Sequence, residues 1–160
     1  MATSQTNLSA FEAKDVPSGK GLKIALVVAE WNVQITNKLC LGARTTLIDC
    51  GVHEKDIHIT YVPGSFELVF GARKALEKQV DAVIVIGSVI QGQTKHFDFV
   101  CQGVTQGIVS LNLSSDQPVV FCVLTDNSLQ QSIDRSGGVH GNKGVEAAVT
   151  AIKMAHLAKQ

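Results

Sequence analysis

Gly92, Gln93, Thr94 and His96 fall within the segment GSVIQGQTKHFD (87–98), where residue types and spacing could support chemistry. The segment follows an aliphatic run, Asp81-Ala-Val-Ile-Val-Ile86, and precedes apolar residues at helical spacing: Phe97, Val100, Cys101, Val104, Ile108 and Leu111. A strand turning into a helix at this point leaves backbone N–H groups and the positive end of a helix dipole facing outward, which makes an anion site. His96 then sits in the first helical turn, about one turn from a bound anion. An imidazole with an ordinary pKa of about 6.5 suits proton transfer near neutrality. The combination fits a small phosphorylated substrate whose reaction moves protons.

The elements that position this segment follow from the apolar pattern. Lys23–Ala29, Ile57–Val62, Ala82–Gly87 and Val119–Leu124 read as buried strands, three of them nearly continuous in aliphatic residues, as in a sheet covered on both faces. Ile35, Leu39, Ala43 and Leu47 give one helical face, with Gly51 placed to end it; Phe66, Val69, Phe70 and Leu76 give the next. The Phe97–Leu111 stretch gives a third. A short helical segment around Leu129–Arg135, a glycine-rich loop and a helix from about Asn142 to Ala158 close the chain. Strands alternating with helices predict a three-layer α/β sandwich of flavodoxin-like kind, with a four-stranded, mainly parallel sheet and helices on both faces. Residues 1–21 read as a flexible polar arm and 22–160 as a single domain.

In such folds ligands bind beyond the carboxyl ends of the strands. That rule selects Glu30-Trp31-Asn32, Pro63 to Glu67, Ser88 to His96, and the chain after Leu124. Trp31 is either a core-capping aromatic or a face on which a planar heterocycle stacks. Ser65 is either a helix N-cap or a substrate contact. Glu67 either complements a helix dipole or accepts hydrogen bonds from substrate hydroxyls. Arg135 and Lys143 flank the glycine-rich loop as solvated charges or as anion ligands, and an Arg fork matches phosphate. The remaining histidines, His53, His58, His140 and His156, have no metal-ligand spacing, so no metal is expected.

Composition narrows the partners. Fourteen basic and 14 acidic residues balance to zero formal charge with no long basic run, which argues against nucleic acid and anionic membranes. Charged residues make up 18% of the chain, below the ~25% usual for soluble domains, so some surface is expected to be buried against other subunits. Cys40, Cys50, Cys101 and Cys122 show neither a CxxC pair nor a disulfide framework, as in a reducing cytoplasm. Three functions remain open from the residues alone. One is an enzyme condensing or isomerising a sugar-like phosphate. A flavin-phosphate binding module is disfavoured by the loop EWNVQ, which lacks a Ser/Thr/Gly cluster. A serine hydrolase using Ser65 and His96 lacks a G-x-S-x-G elbow.

EWN (30–32), VPGSFE (62–67), GSVIQGQTKHFD (87–98) and IDRSGGVHGNKG (133–144), in this order, resemble the 6,7-dimethyl-8-ribityllumazine synthase family, which makes the immediate precursor of riboflavin. The likeness runs from about Leu22 to Leu157. It implies condensation of 5-amino-6-ribitylaminouracil with 3,4-dihydroxy-2-butanone 4-phosphate, a transferase reaction using neither metal nor organic cofactor. Carried over by position, the resemblance implies that Trp31 stacks on the pyrimidine and that Ser65, Phe66 and Glu67 hold the ribityl chain and ring edge. Ser88, Val89 and Ile90 would line the pyrimidine site, Gln93 and Thr94 would bind the phosphate, and His96 would transfer protons. Phe121, the phosphate clamp Arg135 and the uracil-binding Lys143 would come from a neighbouring subunit of a pentamer. Compared with the commoner family pattern, Trp31 replaces Phe, Gln91 a basic residue, Gln93 a small or acidic one, and Val139 a Lys. No insertion separates Arg135 from Lys143, which favours an icosahedral 60-mer of twelve pentamers, while Pro17 in the arm counts against one. Riboflavin synthase is implied as a further partner.

Overall fold

The computed structural model describes residues 7, 9–12 and 15–160. Strands β1 (Ile24–Ala29), β2 (Ile57–Val62), β3 (Ala82–Ile90) and β4 (Val119–Asp126) form one sheet in the order β2-β1-β3-β4. All three pairings are parallel, with Ile24 level with Ile57 and Ala82, and Val83 level with Val119. Helices α1 (Val33–Asp49), α2 (Leu68–Leu76), α3 (His96–Ser114), α4 (Leu129–Arg135) and α5 (Lys143–Leu157) connect and cover it. The flavodoxin-like sandwich expected from the alternation is the fold observed.

Side-chain alternation divides the core into two layers. Ile24, Leu26, Val28, Ile84, Ile86, Val120, Cys122 and Leu124 meet Ile35, Leu39, Ala43 and Leu47 of α1 and Ala148, Ala151 and Ile152 of α5. Ala25, Val27, Val83, Val85 and Val123 meet Leu68, Ala72 and Ala75 of α2 and Val104 and Ile108 of α3. Burying each large aliphatic is worth roughly 1.5–3 kcal/mol, against about 0–1 kcal/mol for a typical surface ion pair. The apolar layers therefore hold the fold. Helix α1 ends where its pattern stops, with Gly51 at φ 98° just beyond the cap Cys50.

Four details differ from the sequence reading. Strand β2 is an edge strand with mostly exposed side chains, Tyr61 at 54%, not a buried one. Helix α2 buries Leu68, Gly71, Ala72 and Ala75, whereas Phe66 and Phe70 point outward; β-branched Val27 and Val62 press so close that a Cβ on Gly71 would lie 2.6 Å from Val27 Cγ1. That close approach turns α2 away from the face its larger residues suggest. Strand β3 runs on to Ile90, because β4 continues level with it to Asp126. The glycine-rich loop is a small antiparallel hairpin, β5 (Ser136–Gly138) with β6 (Gly141–Asn142), which Gly137 and Gly141 allow through positive φ. Part of the expected arm lies outside the described residues; within the rest, Phe11 and Val16 pack on the α1 side of the core.

Candidate active site

A cleft of about 720 Å³ opens at the carboxyl ends of the strands. It lies where the connections from β1 and β3 depart in opposite directions, the place such sheets use for ligands. Trp31, Asn32, Ser65, Phe66, Glu67, Ser88, Val89, Ile90, Gly92, Thr94 and His96 line it, with Phe97, Phe99 and Val100 from α3. Nine of the predicted site residues therefore share one cavity: Trp31, Ser65, Phe66, Glu67, Ser88, Val89, Ile90, Thr94 and His96.

Backbone geometry places each wall. The chain leaving β1 keeps pace with β2, since the Glu30 and Trp31 N–H groups donate to the carbonyls of Val62 and Pro63 at 2.8 and 3.2 Å. The Trp31 ring is 73% exposed and caps no core. Asn32 then adopts the left-handed conformation, and its Nδ2 donates to the Ser88 carbonyl at 2.9 Å. Asn32 was not among the predicted site residues. Its signal was a residue tolerant of positive φ directly before a helical period.

Ser65 is buried, and Gly87 makes room for it: a Cβ there would lie 2.7 Å from the Ser65 hydroxyl. The Ser65 hydroxyl makes no cap bond to α2, whose cap position is Glu67, so a helix-capping role is not what places it. The Glu67 carboxylate folds back toward Gly64, at 3.0 Å from a Cβ built there, and the Phe66 ring lies across Gly103 of α3.

The turn after β3 begins with the Gln91 N–H donating to the Asp126 carbonyl at 2.9 Å. Beyond it residues 92–95 are exposed, and their N–H groups bind no acceptor among the described residues. The Thr94 hydroxyl accepts from the His96 N–H at 3.4 Å, which sets the first residue of α3. Open N–H groups at a helix start, with an exposed imidazole on that same turn, are an arrangement that can take an anion. Gln93 is exposed in this turn and does not line the cleft.

The other three predicted residues lie elsewhere. Phe121 and Lys143 share a depression of about 320 Å³ at the open edge of β4, bounded by Asn112, Glu146 and Met154. Lys143 Nζ meets Glu146 Oε2 at 2.7 Å. Beneath them burial pushes the Cys122 thiol up from 9.0 to about 12, with nearby Lys143 opposing the shift. Arg135 ends α4, where its Nη1 donates to the Gln131 carbonyl at 3.0 Å and its Nε lies 3.9 Å from Asp126 Oδ1. Among the described residues no group of three His, Cys, Asp or Glu side chains could hold a metal ion. No helix there is long and apolar enough to cross a membrane.

A family model described as 6,7-dimethyl-8-ribityllumazine synthase matches residues 21–159. The chain belongs to this family. Proteins named 6,7-dimethyl-8-ribityllumazine synthase are similar to it over nearly all its length. The one from Flavobacterium johnsoniae is 61% identical, covering 100% of this chain and 85% of that protein. The one from Flavobacterium psychrophilum is 55% identical, with the same coverage. The one from Parabacteroides distasonis is 54% identical over 98% of this chain and 99% of that protein. Lumazine synthase membership agrees with the resemblance carried by the four motifs, and all four stand at or beyond the carboxyl ends of the strands.

Proposed function

We propose that the chain condenses 5-amino-6-ribitylaminouracil with 3,4-dihydroxy-2-butanone 4-phosphate to 6,7-dimethyl-8-ribityllumazine, as a transferase needing no metal or organic cofactor. The observation that carries this reading is the cleft that joins the exposed Trp31, the Ser88–Ile90 strand end and the turn holding Thr94 and His96. Trp31 stacks on the pyrimidine. Ser88, Val89 and Ile90 form the floor under it, and Ser65, Phe66 and Glu67 hold the ribityl chain. Gln93, Thr94 and the open N–H groups of the turn take the phosphate.

The uracil amine attacks the ketone carbonyl and water leaves to give an imine. Loss of a proton and of inorganic phosphate then yields an enol, which becomes the second carbonyl. Attack by the ribitylamino nitrogen and loss of a second water close the ring. Every step moves protons between groups that binding has already brought together, so proximity supplies much of the rate. His96 adds roughly 10²–10⁴-fold as the proton carrier.

The reading requires more than one subunit. Phe121, Lys143 and Arg135 belong to the β4 side of the chain, away from the cleft, and join it from a neighbouring copy. Two different patches meeting head to tail generate a ring rather than a two-fold dimer, which suits a pentamer. Helix α3 supports burial between copies: only Val104 and Ile108 are buried in it, while Phe99 is 69% and Leu113 85% exposed. The pentamers assemble further into the icosahedral 60-mer, with riboflavin synthase as a partner, in a reducing cytoplasm that keeps the four thiols free.

Mixing the two substrates with the purified protein and following lumazine absorbance and fluorescence tests the reaction. Product should form at a rate proportional to protein and release one phosphate per lumazine. Tight flavin binding without turnover would instead favour a binding module. Light scattering after size exclusion tests the assembly, and a pentamer-sized peak would exclude the shell.

A further inference from the structure

Beneath the cleft lies a buried polar chain whose central members, Ser132 and Asp126, have no role above. The Ser88 hydroxyl, under the pyrimidine floor, donates to the Ser132 hydroxyl at 3.4 Å, and Ser132 donates to Asp126 Oδ2 at 2.8 Å. Asp126 Oδ1 faces Arg135 Nε at 3.9 Å, too long for a hydrogen bond but close for a charge pair. Ser88 and Ser132 are buried, and the Asp126 side chain is only 9% exposed. Asp126 is also fixed through its backbone: it lies level with Ile90, and its carbonyl accepts from the Gln91 N–H, the first residue of the anion turn.

A carboxylate so far from water is costly unless it is paired and hydrogen-bonded. An apolar residue or a threonine would finish β4 at less cost, so the fold alone does not call for this charge. Its partners show what it does. Arg135 has five N–H donors in a planar fork. Asp126 faces the Nε edge and the Gln131 carbonyl takes Nη1, while Nη2 meets no acceptor among the described residues. A planar group met at Nε and Nη1 has its Nη2 donors left for an anion, as a clamp requires.

We propose that Asp126, supported by Ser132, is the positioning residue for Arg135: it orients the guanidinium for phosphate and ties that orientation to the Ser88 floor and the Gln91 turn of the same chain. The proposal rests on the reading of Arg135 as the phosphate clamp. In a ring of copies it means that each chain sets its own cleft and the arginine it lends to its neighbour from one residue. A carboxylate beside an anion site also repels the anion, so its removal could have either sign. Orientation dominates here because the Asp126 side chain is 9% exposed and that of Arg135 30%, so an anion arriving from solvent meets the guanidinium first.

The test measures calorimetric binding of inorganic phosphate to the intact oligomer, with kcat and KM for each substrate in parallel. Asp126→Asn keeps an acceptor for Ser132 but removes the charge. It should weaken phosphate binding and raise KM for the butanone phosphate by about 3–10-fold, toward the lower end of the roughly 2–150-fold couplings between adjacent groups, with kcat within about twofold. Ser132→Ala, which cuts one of the two supports of the carboxylate, should shift both in the same direction by less. In an Arg135→Ala background, Asp126→Asn should change nothing further. If Arg135→Ala weakens phosphate binding but Asp126→Asn leaves it unchanged or tightens it, Asp126 does not position the clamp, though the clamp itself stands. Equal weakening by Asp126→Asn with and without Arg135 also overturns the proposal, because it would then act by another route. If Arg135→Ala leaves phosphate binding unchanged, the clamp reading and the proposal both fall.

Discussion

The strand-end cleft and the edge of β4 are built on opposite terms. The aromatic and anion walls of the cleft stand on turns: Trp31 is mostly exposed, Phe66 is 58% exposed, and the N–H groups of residues 92–95 bind no acceptor among the described residues. The β4 edge stands on the core. Phe121 is flanked by buried Val120 and Cys122, and Lys143 precedes Gly144, where a Cβ would lie 2.0 Å from the Leu39 carbonyl of α1. Chemistry can therefore be changed in the cleft without touching the fold, while the edge cannot be altered freely. A ring of copies would bring the adaptable surface of one chain against the rigid surface of the next.

The largest effect that could break this division comes from pairing the two regions. His96→Ala should lower kcat by about 10²–10⁴-fold and leave activity above the uncatalysed rate. Arg135→Ala should cost more in kcat/KM for the butanone phosphate, because the phosphate then loses its one fully charged ligand and keeps only Gln93, Thr94 and the turn N–H groups. Chains carrying one change each, co-expressed at equal levels, should regain wild-type behaviour at about a quarter of their sites, those with both residues intact across a ring contact. Activity no higher than the mean of the two parents would mean that each site is built within one chain.

Trp31 sharpens the comparison from the side of the cleft. Because its ring supports no core, Trp31→Ala should leave the thermal midpoint nearly unchanged, as surface substitutions usually do within about 0.5 kcal/mol. The lost stack should raise KM for the pyrimidine about tenfold, stacking of a base on an aromatic being worth ~1–3 kcal/mol. Trp31→Phe should recover most of that. A fall in the midpoint with KM unchanged would return Trp31 to the role of a core cap.

How far the sequence could be read follows the same division. The aliphatic runs of β1, β3 and β4 and the four-residue spacing of Ile35, Leu39, Ala43 and Leu47 report burial directly, and these elements lie close to where they are expected. Strand β2 misleads because Ile59 and Tyr61 are apolar yet stand on an open edge. Phe66 and Phe70 mislead for a related reason, since small residues, Gly71 and Ala72, fill the buried face of α2. An apolar residue on an exposed surface looks the same in sequence as one in a core. The cleft was legible because the motifs sit on the turns that end the strands. Asn32 and the Ser88–Ser132–Asp126 chain were not, because their partners are 56, 44 and 6 residues apart and no local pattern joins them.

The smallest expected effect tests the β4 edge as part of the core. Cys122 lies between Val120 and Leu124 in the layer under α5, and burial holds its thiol neutral up to about 12, against 9.0 when unfolded. A group whose folded pKa is raised contributes its full stability below the unfolded pKa and loses it as pH climbs toward the folded one. The affected window is therefore about pH 9 to 12. At pH 10 the unfolded thiol is mostly ionised and the folded one is not, which costs about 1.4 kcal/mol. Burial raises the thiols of Cys40, Cys50 and Cys101 as well, so the wild-type slope alone does not isolate Cys122. The difference from Cys122→Ala does: denaturant unfolding at pH 8 and pH 10 should show the variant losing about 1.4 kcal/mol less than the wild type over that interval. Equal losses would mean that water reaches Cys122 in the folded chain, and the β4 edge would then be as yielding as the cleft it is proposed to complete.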